Sequence, residues 1–221
     1  MANWQDSCFL LHKRPFKDHY SWVYLLTREH GLVTACVRER KQQKTGLNPL
    51  ITFARYWCQG REQQILKLQQ IELESKAINL TGMAAISGLY INELIYKTCK
   101  SSSAPVIFQA YAELLPELAL GGEQLLIALR KFELLLLQEL GYGLDFSEVG
   151  SQPHYYYHNQ SGLVATSAAT KFSFSAEHLL AIANNNWALP GVLSTARRLT
   201  KQIFIQVLEG KVLQTHAWFS E

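Results

Sequence analysis

Between Arg38 and Lys44 the chain reads RERKQQK. Arg38, Arg40, Lys41 and Lys44 set four positive charges against the single negative charge of Glu39, with no apolar residue among the seven. The chemistry open to such a run is neutralisation of a phosphate backbone, which needs several Lys or Arg side chains on a surface that follows the strand. Lys13, Arg14 and Lys17 add cations early in the chain, and Arg55 and Arg61 add two more. A single strand also needs flat rings on which its bases stack. Tyr20, Trp22, Tyr24, Tyr56 and Trp57 are available. The first three alternate, which puts them on one face of a strand, with the barrel interior as one destination for that face. Two readings stay open for each group. The charged run is a solvated hairpin tip or a grip on an acidic polymer, and the aromatics are core packing or stacking platforms.

A second constellation lies in EQLLIALRKFELLLLQEL, where Arg130 and Lys131 interrupt an apolar segment. A peptide tail ending in an apolar residue and a free carboxylate needs an apolar groove with a cation at its rim. Leu126, Leu129 and Leu134 with Arg130 and Lys131 have the residue types for it. The structural alternative is an Arg130 paired along the helix with Glu133 or Glu123.

Enzymatic signatures are missing. There is no GxSxG elbow, no GxxxxGK[ST] phosphate loop and no GxGxxG after a strand. His154 and His158 flank YYY, a strand-like stretch in which they share a face but stand too far apart for one metal, and no cysteine is near. Glu93 sits on an apolar helix one turn before Lys97, the favourable order for an ion pair. No cofactor, no metal and no catalytic residue are expected.

The elements that must position these groups change character near residue 80. Before it, SCFLLHKR, YSWVYLLTR, GLVTACVR, ITFARYWCQ and QQILKLQQIE are short, β-branched and aromatic, and partly alternating. Five strands in this span predict a small closed barrel of the OB type. After it, MAAISGLYINELIYKTCK, APVIFQAYAELLPELA and LSTARRLTKQIFIQVLE have helical spacing, with Pro116 expected to end or kink the second. GGEQLLIALRKFELLLLQELGYG is the clearest helix, stopping at Gly141. HYYYHNQSGLVATSA predicts a β-hairpin around Asn159 to Gly162. The expected class is therefore α+β: an OB-type five-stranded barrel over residues 1–80, then a mainly helical domain over 81–221 with a β insert around 153–174.

Composition narrows the function further. A hydrophobic fraction of 48% and a charged fraction of 18% belong to a globular chain. Residues 1–80 carry twelve Lys/Arg against seven Asp/Glu, and the remainder nine against eleven. A basic first third joined to a slightly acidic remainder points to two parts with different partners. MANWQDSCFLL lacks a basic region followed by a long apolar run, so no signal peptide is expected. Charges within the most apolar segment argue against a membrane span. Cys8, Cys36, Cys58 and Cys99 are expected to be reduced core residues of a cytoplasmic protein.

Three segments together, GLYINELIYK (Gly88 to Lys97), ALRKFELLLLQELGYGLDF (Ala128 to Phe146) and RPFKDHYSWVYLLTREHGLV (Arg14 to Val33), resemble the bacterial RecO family of recombination mediators. The resemblance implies binding and annealing of single-stranded DNA, and double-stranded DNA is an alternative ligand. It also implies work with RecR and with the C-terminal tail of single-stranded DNA-binding protein, serving RecA indirectly at the nucleoid. It assigns the tail pocket to Arg130. The sequence departs from the family in three places. No cysteine cluster follows LGYG, so structural zinc is not expected. Val37-Arg38-Glu39-Arg40 stands where a glycine is common in the basic loop, and the chain has no long basic tail after THAWFSE. Three rival classes remain: an RNA-binding OB protein, a protein-interaction adaptor that binds no nucleic acid, and a hydrolase whose site follows none of these signatures.

Overall fold

Alternation along the first 75 residues sorts side chains between two faces of a sheet, and burial of the apolar face closes that sheet. A computed structural model describes residues 2–17, 19–38, 50–62, 64–99 and 104–215. Strands β1 (Ala2–Pro15), β2 (Tyr20–Thr27), β3 (Gly31–Arg38), β4 (Arg55–Glu62) and β5 (Leu66–Ser75) form a closed barrel in the order β1-β2-β3-β5-β4. β4 returns antiparallel to β1, and β3 meets β5 in parallel. This is the expected OB arrangement. Trp4, Cys8, Leu10, Val23, Leu25, Ala35, Tyr56, Cys58, Leu66 and Leu68 fill the interior. Gly60 is needed where β4 and β5 approach closely, because a Cβ there would lie 2.6 Å from the carbonyl oxygen of Lys67.

β1 is longer than expected and carries a bulge. Leu10 opposes Leu25 and His12 opposes Tyr24, so Leu11 is an extra residue. The bulge reverses which side chains face outward. Cys8 and Leu10 point into the core, whereas beyond the bulge His12 and Arg14 sit opposite the outward Tyr24 and Trp22.

Two helices, α1 (Gly82–Thr98) and α2 (Ala104–Leu120), belong to the same compact unit as the barrel, which comprises the chain to Gly121 and again from Leu213. Phe9 meets Phe108 and Tyr111 with ring centroids 5.1 and 5.0 Å apart, and Tyr24 meets Tyr96 at 4.6 Å. Helices therefore cover part of the outer barrel wall. Pro116 does not end α2, which continues through it to Leu120. The expected Glu93–Lys97 pair forms at 2.7 Å, and Glu93 also accepts from the backbone N–H groups of Gln214 and Thr215.

The second unit runs from Gly122 to Val212. It contains α3 (Gly122–Glu139), a small sheet, α4 (Ala176–Ala183) and α5 (Val192–Val207). α3 ends as its sequence predicts. Gly141 takes φ of 84°, and Tyr142 N donates to Leu137 O at 2.8 Å. The predicted hairpin is present as β6 (His154–His158) and β7 (Gly162–Thr166), and β8 (Ser173–Ser175) adds a third strand in the order β7-β6-β8. The change from strand to helix falls between Ser75 and Gly82, whereas the compact units divide at Gly121. Among the described residues no helix is long and apolar enough to cross a membrane.

Candidate nucleic-acid interface

The outer barrel wall not covered by helices collects cations and rings through strand register. Arg14 lies opposite Trp22, Trp22 opposite Cys36, Cys36 opposite Lys67, and Lys67 opposite Arg61. Directly paired residues share a face of the sheet, with neighbouring strands about 4.8 Å apart. One lateral row across all five strands thus carries three exposed cations, an aromatic ring and a thiol. Burial raises the pKa of the Cys36 thiol, and the charge of Lys67 opposes the rise. A second row joins Tyr20 to Arg38.

The β1–β2 connection closes this face at one end. Phe16 N donates to Tyr20 O at 2.8 Å and Tyr20 N donates to Lys17 O at 2.9 Å. Phe16 and Tyr20 are 43% and 38% exposed, and the Phe16 ring meets Trp22 at a tilt of 54° with centroids 5.0 Å apart. Large rings left in solvent beside cations match what stacking on bases needs.

Arg14, Lys17, Arg38 and Arg61 are exposed on or beside this face, and Arg14 also lies over the Tyr24 ring at 5.7 Å. Lys13 is exposed, but it opposes the inward Val23, so the bulge takes it off the row. Arg55 stands apart. It pairs with Glu74 at 3.1 Å, six residues from Arg61, about 20 Å along an extended strand. Arg40, Lys41 and Lys44 lie outside the described residues. Tyr20, Trp22 and Tyr24 face outward, not into the barrel, because Val23 and Leu25 take the interior positions. Tyr24 is nevertheless buried beneath Tyr96, while Tyr56 is a core ring. Lys67 and Phe16 were missed in sequence. Lys67 between inward Leu66 and Leu68 was findable by alternation, but its partners were not.

All four cysteines are free and buried. Cys8 and Cys58 lie in the barrel core with sulfurs 3.2 Å apart, whereas Cys36 belongs to the outer row. Among the described residues no group of three His, Cys, Asp or Glu side chains is arranged to hold a metal.

The predicted tail-binding residues lie on α3. Leu126 (46% exposed) and Lys131 are open, Leu129 is buried, and Leu134 is half-buried against Ala181, Ile182, Trp187, Val192 and Ala196. Arg130 is only 8% exposed, and its Nη1 lies 2.9 Å from Oε2 of Glu133, which is 1% exposed. Thr200 Oγ1 donates to the same Glu133 oxygen. The pairing with Glu133 weighed from sequence is therefore present, and it is buried.

Residues 1–76 match the family described as Recombination protein O N terminal, and residues 81–213 match Recombination protein O C terminal. A protein named DNA repair protein RecO from Proteus mirabilis is 31% identical over all of this chain and 94% of its own length. One of the same name from Serratia proteamaculans is 30% identical over all of this chain and 95% of its own. Another, from Tolumonas auensis, is 29% identical over 96% of this chain and 93% of its own. With both parts of the chain matched in order, and with relatives covered almost end to end, the protein belongs to the recombination protein O (RecO) family.

Proposed function

We propose that this chain is a DNA-repair protein of the mediator type, with no catalytic step of its own, and that it binds single-stranded DNA across the outer face of its barrel. The observation that carries this reading is the register row Arg14–Trp22–Cys36–Lys67–Arg61. It combines cations for phosphates with a ring for bases, on the β2–β3 side of an OB barrel, the side such barrels use for oligonucleotides. Annealing follows when cations neutralise two strands together and reduce their repulsion, so double-stranded DNA is a ligand as well. Arg38, with Arg40, Lys41 and Lys44, extends the grip.

The division of labour we infer gives DNA to residues 1–80 and protein docking to residues 81–221. The partners are RecR and the C-terminal tail of single-stranded DNA-binding protein, and the outcome is assistance to RecA loading in the cytoplasm, at the nucleoid. Leu126 and Lys131 supply open apolar and cationic surface for the tail. Arg130 supports them, since its guanidinium has five N–H donors and one carboxylate does not use them all.

The test is fluorescence anisotropy of a labelled single-stranded oligonucleotide at several salt concentrations. The expected result is a log affinity that falls linearly with log salt, with a slope of about −0.7 for each phosphate neutralised. Absence of binding at low salt would leave the adaptor reading in its place. Competition with RNA of the same sequence separates the RNA-binding rival, because only RNA offers 2′-hydroxyls.

A further inference from the structure

β3 and β5 are joined by only two residue pairs, Ala35 with Leu66 and Cys36 with Lys67. Beyond them the barrel wall opens as a slot of about 500 Å³, with Trp4, Trp22, His30, Thr34, Glu62 and Gln64 along its sides. Its rings are fixed in advance. His30 Nδ1 lies 2.7 Å from Oδ2 of the buried Asp6, which also accepts from the backbone N–H of Glu29 at 3.0 Å. The Trp4 and His30 rings lie 5.7 Å apart. The slot is contiguous with the cationic row. Trp22 belongs to both, Glu62 follows Arg61, and Leu66 precedes Lys67.

We infer that this slot receives one unstacked nucleobase bearing an exocyclic amino group, and that Glu62 selects it. The inference rests on the DNA-binding reading above. A slot of flat rings suits a planar base, and an ionised carboxylate only accepts hydrogen bonds. Cytosine presents its N4 amino group as a donor where thymine presents the O4 acceptor, so a carboxylate at that edge favours the first and repels the second. A carboxylate within a cationic surface is otherwise a cost to phosphate binding.

The experiment compares oligo-dC with oligo-dT of equal length, above neutral pH, by anisotropy with the full chain. The pair differs little in size. Wild type should prefer oligo-dC by about tenfold. In Glu62→Gln the preference should collapse toward unity, because an amide both donates and accepts, while the salt slope stays as in wild type. Glu62 is exposed, so the variant should fold, and circular dichroism verifies it. Equal wild-type affinities with a steep salt slope would overturn the slot and leave the DNA grip standing. A preference that survives Glu62→Gln would remove Glu62 from the role. No binding of either strand at low salt would overturn the grip and the slot together.

Discussion

Asn92 Nδ2 donates to the carbonyl oxygen of Leu11 across 3.2 Å, and Leu11 is the residue that the bulge inserts into β1. Tyr111 OH donates to Asn92 Oδ1 at 2.6 Å, so α1 and α2 together satisfy a backbone group that the sheet leaves without a ladder partner. Burial pushes the Tyr111 hydroxyl far above its usual range, and the bond to Asn92 only partly offsets this, so the phenol stays a donor. The bulge that this pair holds is also what turns Arg14 outward.

Replacing Asn92 with Leu should therefore act on stability and on binding. It leaves the Leu11 carbonyl and the Tyr111 hydroxyl buried without partners, at a cost of about 2–4 kcal/mol. Urea denaturation measures that cost. Tyr111→Phe should cost less, about 1–2 kcal/mol, because the Leu11 bond survives. If the register slips, Arg14 leaves the row and the salt slope of DNA binding shrinks in Asn92→Leu but not in Tyr111→Phe.

Arg14→Ala, Lys67→Ala and Arg61→Ala should each weaken single-strand binding and lower the salt slope by about 0.7. Trp22→Ala should weaken binding by about 1–3 kcal/mol and leave the slope alone, since stacking releases no counterions. Arg55→Ala, whose charge is already matched by Glu74, should change neither. Equal effects of Arg55→Ala and Arg61→Ala would refute the row.

Arg130→Ala should destabilise the second unit by about 3–5 kcal/mol, because Glu133 would remain buried without its cation. The double replacement Arg130→Met with Glu133→Leu should recover most of that loss, as apolar residues of similar volume commonly do. A thermal melt of the three proteins decides it. Peptide-docking experiments are thus better made with Lys131→Ala and Leu126→Asp, whose side chains are open.

Glu93 ties the last described residues to α1. Burial raises its pKa. The hydrogen bond from Lys97, those from the N–H groups of Thr215 and Gln214, and that from the Thr215 hydroxyl together outweigh burial and bring it from 4.5 to about 2. A carboxylate with a depressed folded pKa contributes stability in full above its unfolded pKa and loses it as pH falls through the folded one. Wild type should exceed Glu93→Gln in stability by about 2 kcal/mol at neutral pH, with the gap closing between about pH 4.5 and pH 2. A gap that is constant across that window would show that the charge is not what holds the segment.

Much of this molecule was legible in one dimension. The period-2 pattern specified five strands near the observed places, because a half-buried strand must alternate. The apolar run before Gly141 specified α3 and its stop, because a left-handed residue with no Cβ ends a helix cheaply. The Glu93–Lys97 pair followed from helical spacing alone. Pro116 does not end its helix because it removes one donor, a loss that a packed helix outlasts, and β8 was too short to carry a pattern of its own. The interface was legible only as a set of types. Alternation could group Tyr20, Trp22 and Tyr24 but could not say which face of the sheet would close inward. That was settled by barrel closure, which sent Val23 and Leu25 to the core. Local sequence does not announce a bulge, so Lys13 and Arg14 looked equivalent until Leu11 separated them. Lys67 came beside Arg61 and Cys36 only through pairings distant in sequence. Periodicity is a local property that a chain carries before it folds. Which cations become neighbours is a matter of register between strands, and register exists only once the sheet has formed.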